Sequence, residues 1–196
     1  MRWAILVLGF LFTCSVQAQS GYDVLVKTHI HRNSKFDPFF KGISASVVPI
    51  TLGTPLAIYA GGLYHKDISL KQKAYVSGSA VLVSGGISLF LKLTVNRPRP
   101  YAEHADIQAL VHSGPHSFPS AHASNAFATA TSLSLLFPKW YVIAPAYTWA
   151  GLVGYSRMHL GVHYPGDVAA GALIGAGSSV ACYYANRWLR RRLGDK

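Results

Sequence analysis

Residues 74–95 read AYVSGSAVLVSGGISLFLKLTV, and their only charge is Lys92, near the end of the run. A stretch of this length and apolarity is long enough to cross the roughly 30 Å hydrocarbon core of a bilayer as a helix. Its small residues, as in Ser77-Gly78-Ser79-Ala80, suit helices that pack closely in lipid, where hydrophobicity alone cannot drive association. Four further segments share this character: Ile43 to Leu63, Ala121 to Phe137, Trp140 to Tyr155 and Val168 to Ala185. Those nearer 16 or 17 residues are short for a span, which leaves a soluble bundle of unusually apolar helices as the competing reading. The expectation is an all-α polytopic membrane helix bundle of five spans, or six if the N-terminal segment also stays in the membrane.

Composition agrees. The 196 residues are 51% hydrophobic and only 13% charged, about half the charge of an ordinary soluble domain. That balance excludes disorder, and two cysteines, Cys14 and Cys182, exclude a disulfide scaffold. If the N-terminal segment is cleaved, Cys182 stands alone and reads as a small core residue. The formal charge of +11, from 18 Lys+Arg against 7 Asp+Glu, calls for an anionic partner. Nucleic acid does not fit, because the basic residues lie between long apolar runs instead of along one face or tail. No internal repeat or second domain is visible.

The chain opens with Met1-Arg2, an apolar run from Trp3 to Cys14, and then Ser15-Val16-Gln17-Ala18-Gln19. That order is the n-region, h-region and cleavage site of a signal peptide, with residues 1–18 removed; the alternative is an uncleaved first transmembrane helix. With Arg2 placed in the cytoplasm and the spans alternating, Lys66, Lys71, Lys73, Lys139, Arg187, Arg190, Arg191, Arg192 and Lys196 also fall inside. Lys27, Arg32, Lys35, Lys41, Lys92, Arg97, Arg99 and Arg157 fall outside. The inner excess follows the positive-inside rule, and cleavage does not change it. Asn33 to Lys41 (NSKFDPFFK), with Phe36, Phe39 and Phe40 beside Lys35 and Lys41, reads either as an interfacial segment or as a turn before a core helix.

Three stretches at the outer helix ends carry the chemistry. They are Lys92 to Pro100, Phe118-Pro119-Ser120-Ala121-His122, and Ser156-Arg157 through His163 to Asp167. Lys92, Arg99 and Arg157 supply three cations, two of them forked guanidinium donors suited to phosphate oxygens. Ser120 stands at a helix start, where its hydroxyl and the free N–H groups of the first turn form an anion site. His122 and His163 can act as acid and nucleophile. Asp167, four residues after His163, can fix the tautomer that leaves the other ring nitrogen free to attack. An anion held by cations and amides between two histidines is what phosphoryl transfer requires. The spacing His159-x3-His163-x3-Asp167 could instead hold a metal, but Pro165 and Gly166 interrupt it, so no metal is assigned. His104, His112 and His116 carry no role.

The patterns K-x6-R-P, P-S-x-H and S-R-x5-H-x3-D, in this order, resemble the three-part signature of the type 2 phosphatidic acid phosphatase family, which also includes bacterial acid phosphatases and vanadium haloperoxidases. Here they are Lys92…Arg99-Pro100, Pro119-Ser120-Ala121-His122 and Ser156-Arg157…His163…Asp167. The flanking helices match the family's membrane branch, with residues 19–196 as one such domain. The departure is Ala121, where the common form has Gly; a backbone contact there survives, while local flexibility changes.

The resemblance implies His163 as the nucleophile of a phosphohistidine intermediate, oriented by Asp167, with His122 protonating the leaving oxygen and then activating water. Lys92, Arg99, Arg157, Ser120 and the amides of Ala121 and His122 would hold the phosphoryl group, with no cofactor. The expected function is hydrolysis of a phosphate monoester or diphosphate on a membrane lipid at the periplasmic face of a bacterial inner membrane. Undecaprenyl diphosphate, phosphatidylglycerophosphate and lipid A phosphate are the candidate lipids, and no obligate protein partner is implied. The alternatives are a soluble periplasmic acid phosphatase of broad specificity with the same site, a haloperoxidase, and a non-catalytic lipid carrier or scaffold.

Overall fold

The structure, a computed structural model, describes residues 20–193. The expected signal peptide or first span at residues 1–18 lies outside the described residues. A short helix α1 (Ser20–Leu25) leads through a π-helical turn (Val26–Ile30) and a 3-10 turn (Ser34–Phe36) into α2 (Asp37–Ala45). Then come α3 (Val47–Tyr64), α4 (Ile68–Val95), the single turn α5 (Pro100–Glu103), α6 (Ala121–Leu136), α7 (Trp140–His159) and α8 (Pro165–Leu193). The described residues form no strand.

All five expected apolar segments are helical. Three stretches are long and apolar enough to cross a membrane by length and composition alone: Ser34–Tyr64, Ile68–Glu103 and Pro165–Arg192. The helices α6 and α7 are not among them. α6 has only 16 residues, and it is an interior helix: Ala123, Ser124, Ala126, Ala128, Thr129, Ala130, Thr131 and Ser132 are all buried. It is the axle of the bundle, touching α4, α7 and α8, and needs small residues more than large apolar ones.

Those small residues set the helix spacing. A Cβ on Gly171 would lie 2.5 Å from the Ser120 carbonyl oxygen, and one on Gly175 would collide with that of Ser124. Glycine at both positions lets α8 run against the backbone of α6. Hydroxyls bridge the same contacts. Ser88 Oγ donates to Ser124 Oγ at 2.9 Å and Ser179 Oγ to the Ala128 carbonyl at 2.8 Å, while the Ser77 and Ser132 hydroxyls pair at 3.2 Å. The large apolar side chains point the other way: Leu56, Leu82, Leu89, Phe90, Leu93 and Leu173 are exposed. Small and polar inside, large and apolar outside is the arrangement lipid favours, because lipid tails solvate leucine as well as a protein core does.

The chain turns are capped where the sequence provides for it. Asp67 accepts from the backbone N–H of Ser69 (2.7 Å) and Leu70 (3.3 Å) at the start of α4. Asn96, in the left-handed region at φ 50°, ends α4. Gly161 turns the chain after α7 at φ +73°, where a Cβ would meet the Gln108 carbonyl oxygen at 2.7 Å, so only glycine fits. Cys182, expected in the core, is half-buried on α8. In the aromatic segment Phe36 and Phe39 are exposed, as an interfacial stretch would have them. Phe40 instead packs on Tyr155 and His159.

Candidate active site

The three motif stretches meet at one end of the bundle. Lys92 reaches it from the last turn of α4, Arg99 as the residue before α5, and Ser120 and His122 from the start of α6. Arg157 comes from the end of α7, His163 from the connection into α8, and Asp167 from its first turn. The segment from His104 to Ser120 closes over them. It is pinned by Leu110 N–H to the Leu160 carbonyl (3.1 Å) and by Ser117 N–H to the Arg97 carbonyl (2.8 Å).

His163 and Asp167 face each other in the interior. His163 is 2% exposed and Asp167 0%. His163 Nδ1 stands 3.4 Å from Asp167 Oδ2, close enough for electrostatic orientation but outside hydrogen-bonding geometry in this resting arrangement. Burial pushes the His163 pKa down to about 3, with Asp167 pulling upward and Arg157 and Arg99 adding to the depression. The ring is therefore neutral at pH 7. Its other nitrogen, Nε2, lies 3.2 Å from Arg99 Nη1, which places a guanidinium donor on the lone pair facing the cluster.

The cations are held as firmly as the histidine. Arg99 donates through Nη1 to the Val162 carbonyl at 2.7 Å and through Nε to the Gly114 carbonyl. Arg157 donates to Ser44 Oγ and, at 3.2 Å, to Ser113 Oγ; its Nε is buried with no partner among the described residues. Lys92 Nζ donates to the carbonyls of His116 (3.0 Å) and Pro119 (2.9 Å). Ser120 caps α6, its Oγ accepting from Ala123 N–H at 3.5 Å, while its own N–H donates to the Asp167 carbonyl at 3.0 Å. The N–H groups of Ala121 and His122 in that first turn have no intrahelical acceptor, as helix geometry dictates. His122 lies within Coulombic range of Lys92, Arg99, Arg157 and His163.

Sequence reasoning missed several members of this cluster. In the sequence Arg97 is only one more outer-loop charge. Its Nη1 donates to Asp167 Oδ1 at 2.9 Å, and its guanidinium stacks 4.1 Å from the centre of the Tyr164 ring. The Tyr164 N–H takes the other carboxylate oxygen, Oδ2, at 2.9 Å, and its hydroxyl donates to Glu103. Burial, then that bond to Glu103, raises the Tyr164 pKa. Seventy residues separate Arg97 from Asp167, so no local spacing signals the pair. Ser44 and Ser113, which grip Arg157, are equally silent in sequence.

His159 belongs elsewhere: its Nε2 lies 2.8 Å from Asp37 Oδ1. Among the described residues no group of three His, Cys, Asp or Glu is placed to hold a metal ion. The spacing from His159 through His163 to Asp167 is therefore split between two environments.

Residues 74–191, spanning every motif, match the model of the PAP2 superfamily. The chain belongs to the PAP2 superfamily. Among curated relatives, the lipid A 4'-phosphatase of Bacteroides thetaiotaomicron is 29% identical over 164 residues, 81% of this chain and 73% of that protein. The undecaprenyl-diphosphatase BcrC of Bacillus subtilis is 29% identical over 158 residues, 79% of this chain and 78% of that one. Among solved structures, a transmembrane PAP2-type phosphatidylglycerolphosphate phosphatase from Bacillus subtilis superposes with a TM-score of 0.75 at 25% identity, covering 96% of this chain and 97% of its own. Aquifex aeolicus LpxE does so with a TM-score of 0.72 at 26% identity, over 83% and 94%. This PAP2 protein is thus an enzyme, a phosphatase built of membrane helices, and its named relatives are lipid phosphatases.

Proposed function

We propose that this PAP2 protein hydrolyses a phosphate monoester or diphosphate carried by a membrane lipid, through a phosphohistidine on His163. The observation that carries the reading is the gathering of Lys92, Arg97, Arg99 and Arg157 around a buried, neutral histidine beside one carboxylate. So many cations against a single Asp167 leave the cluster short of negative charge, and a phosphoryl group is the dianion that balances it.

The steps follow from the donors. A phosphate oxygen accepts the Arg99 Nη1–H hydrogen bond now directed at His163, which frees the Nε2 lone pair. Nε2 attacks phosphorus, the bond from phosphorus to the lipid oxygen breaks, and His122, protonated once the bound phosphate offsets the surrounding cations, gives its proton to that departing oxygen. Asp167 holds Nδ1–H and stabilises the charge that develops on the ring. His122 then takes a proton from water, the water oxygen attacks phosphorus, the N–P bond breaks and inorganic phosphate leaves. Arg99, Arg157, Lys92, Ser120 and the first-turn N–H groups at Ala121 and His122 stabilise the equatorial oxygens throughout. Arg99 and Arg157 now bond to Gly114 and Ser113 of the overlying segment, so substrate binding exchanges those contacts for phosphate oxygens.

In this reading all five long helices cross the membrane, and residues 1–18 act as a signal peptide or a further span. The histidine end faces the periplasm of a bacterial inner membrane, because the basic residues concentrate at the opposite end. Undecaprenyl diphosphate, phosphatidylglycerophosphate and lipid A phosphates are the candidate substrates. The deciding experiment is phosphate release from these lipids by detergent-purified protein, with rapid quenching to trap a base-stable, acid-labile phosphoenzyme. Wild type is expected to show both, and His163→Ala neither. A fully active His163→Ala enzyme would overturn the mechanism, and a reporter after Tyr155 found in the cytoplasm would overturn the orientation.

A further inference from the structure

The end of the bundle away from the histidines holds a second concentration of positive charge, and it has a shape. The first turns of α4, the end of α6 and the last turns of α8 enclose a cleft of about 340 Å³. Lys73, Arg187, Arg190 and Arg191 line it, with the side-chain amides of Gln72 and Asn186 between them. Among the described residues no carboxylate lines the cleft, and none of the ion pairs involves these four cations. Arg190 is the most telling: its Nε is buried and has no hydrogen-bond partner among the described residues. A guanidinium N–H withdrawn from water without a partner among the described residues is costly, so the wall of the cleft holds a donor that an anion there would satisfy.

Position narrows the ligand. Trp140, Tyr141 and Trp188 are exposed at the same end, and such aromatic residues settle at the head-group level of a bilayer. Val76 and Leu136 give the cleft an apolar wall. Guanidinium forks match phosphate oxygens two at a time, and basic pockets between membrane helices at this depth take lipid head groups. We propose that this cleft binds the phosphate-bearing head group of an acidic phospholipid, on the membrane face opposite the histidine cluster. Dissolved phosphate shares the chemistry, but it lacks the chains that the apolar wall accepts and the high local concentration of a bilayer.

The test uses the full chain in neutral detergent, titrated with phosphatidylglycerol, phosphatidylcholine or inorganic phosphate. Native mass spectrometry reads bound lipid, and thermal unfolding reads the stabilisation. Phosphatidylglycerol is a phosphodiester, so a phosphatase of monoesters and anhydrides does not consume it. The expected result is retention of phosphatidylglycerol with a raised Tm, and no comparable effect from the other two. The double variant Arg187→Gln/Arg190→Gln should bind phosphatidylglycerol about tenfold or more weakly, with phosphate release unchanged. Lys73→Gln, which leaves the buried guanidinium in place, repeats the measurement if the double variant does not fold. Wild-type affinity in the folded variant overturns the site, and equal stabilisation by inorganic phosphate or phosphatidylcholine overturns the acidic-lipid assignment.

Discussion

Both ends of the bundle are rich in lysine and arginine, yet they use them in opposite ways. At the histidine end Arg99 and Arg157 are 4% and 3% exposed. Each is tied down by carbonyls or hydroxyls from a different part of the chain. At the far end Arg187, Arg191 and Arg192 are exposed, and no carboxylate among the described residues pairs with them. Residue type is the same; burial and partners differ. A cation fixed by neutral donors and acceptors keeps its charge and has already lost its rotamer freedom. In the proposed reading it meets a phosphoryl group with its side chain already in place, only the hydrogen-bond partners being exchanged. An exposed cation suits the roles proposed for it, topology and lipid contact, where screening and mobility do no harm.

Substituting lysine for arginine at the two ends separates these roles most sharply. Arg157→Lys removes the fork that spans Ser44 and Ser113 and should lower kcat about a hundredfold or more. Arg187→Lys should leave steady-state phosphate release unchanged. Equal effects at both positions would erase the distinction. A smaller loss is expected from Arg97→Gln, which strips Asp167 Oδ1 of its partner while leaving Tyr164 N–H on Oδ2. Asp167 would then hold His163 less rigidly, lowering kcat about tenfold to a hundredfold with KM little changed. Arg97→Lys should restore part of it. A rise in KM alone would show that Arg97 contacts the lipid instead of positioning the carboxylate.

The smallest effect concerns acid stability. Folded His163 is held at about 3 against an ordinary 6.5. The unfolded chain therefore takes up a proton there as pH falls through about 6.5, and the folded chain does not until about 3. The contribution of neutral His163 is complete above about 6.5 and is lost progressively as the pH falls toward 3. In His163→Gln that dependence disappears, so the drop in Tm between pH 7 and pH 4.5 should be smaller than in wild type. An identical drop would mean that His163 is not buried in its neutral form.

How far the chain could be read beforehand varied with the range of the contacts involved. The apolar segments were visible because a membrane helix needs only its own residues to satisfy its backbone, and all five are helices. Their ends ran further than the hydropathy implied: α8 reaches from Pro165 to Leu193 and α4 starts at Ile68, because polar residues extend a helix past the apolar core. The inner axle α6 falls within one residue of its apolar segment, but which of its small residues meet which neighbour is set only by Gly171 and Gly175 of α8.

The site divides the same way. Lys92, Arg99, Ser120, Ala121, His122, Arg157, His163 and Asp167 stood out because each motif is short and keeps its own internal spacing. Arg97, Tyr164 N–H, Ser44 and Ser113 did not stand out, because each acts across tens of residues on a partner that only folding brings near. The separation of His159 from His163 is likewise a matter of folding. Four residues apart in sequence, the two sit on either side of the Gly161 turn, and Asp37 claims the first.

By itself the sequence determined the helices, the excess of positive charge and the candidate reacting groups, since hydropathy and short-range spacing are properties of contiguous residues. The tertiary structure alone decided which cations are buried and paired, which carboxylate oxygen faces the histidine, and that the remaining charge gathers into a second cleft. Those depend on which helix ends meet, and that is set by the glycines and hydroxyls through which α4, α6 and α8 pack.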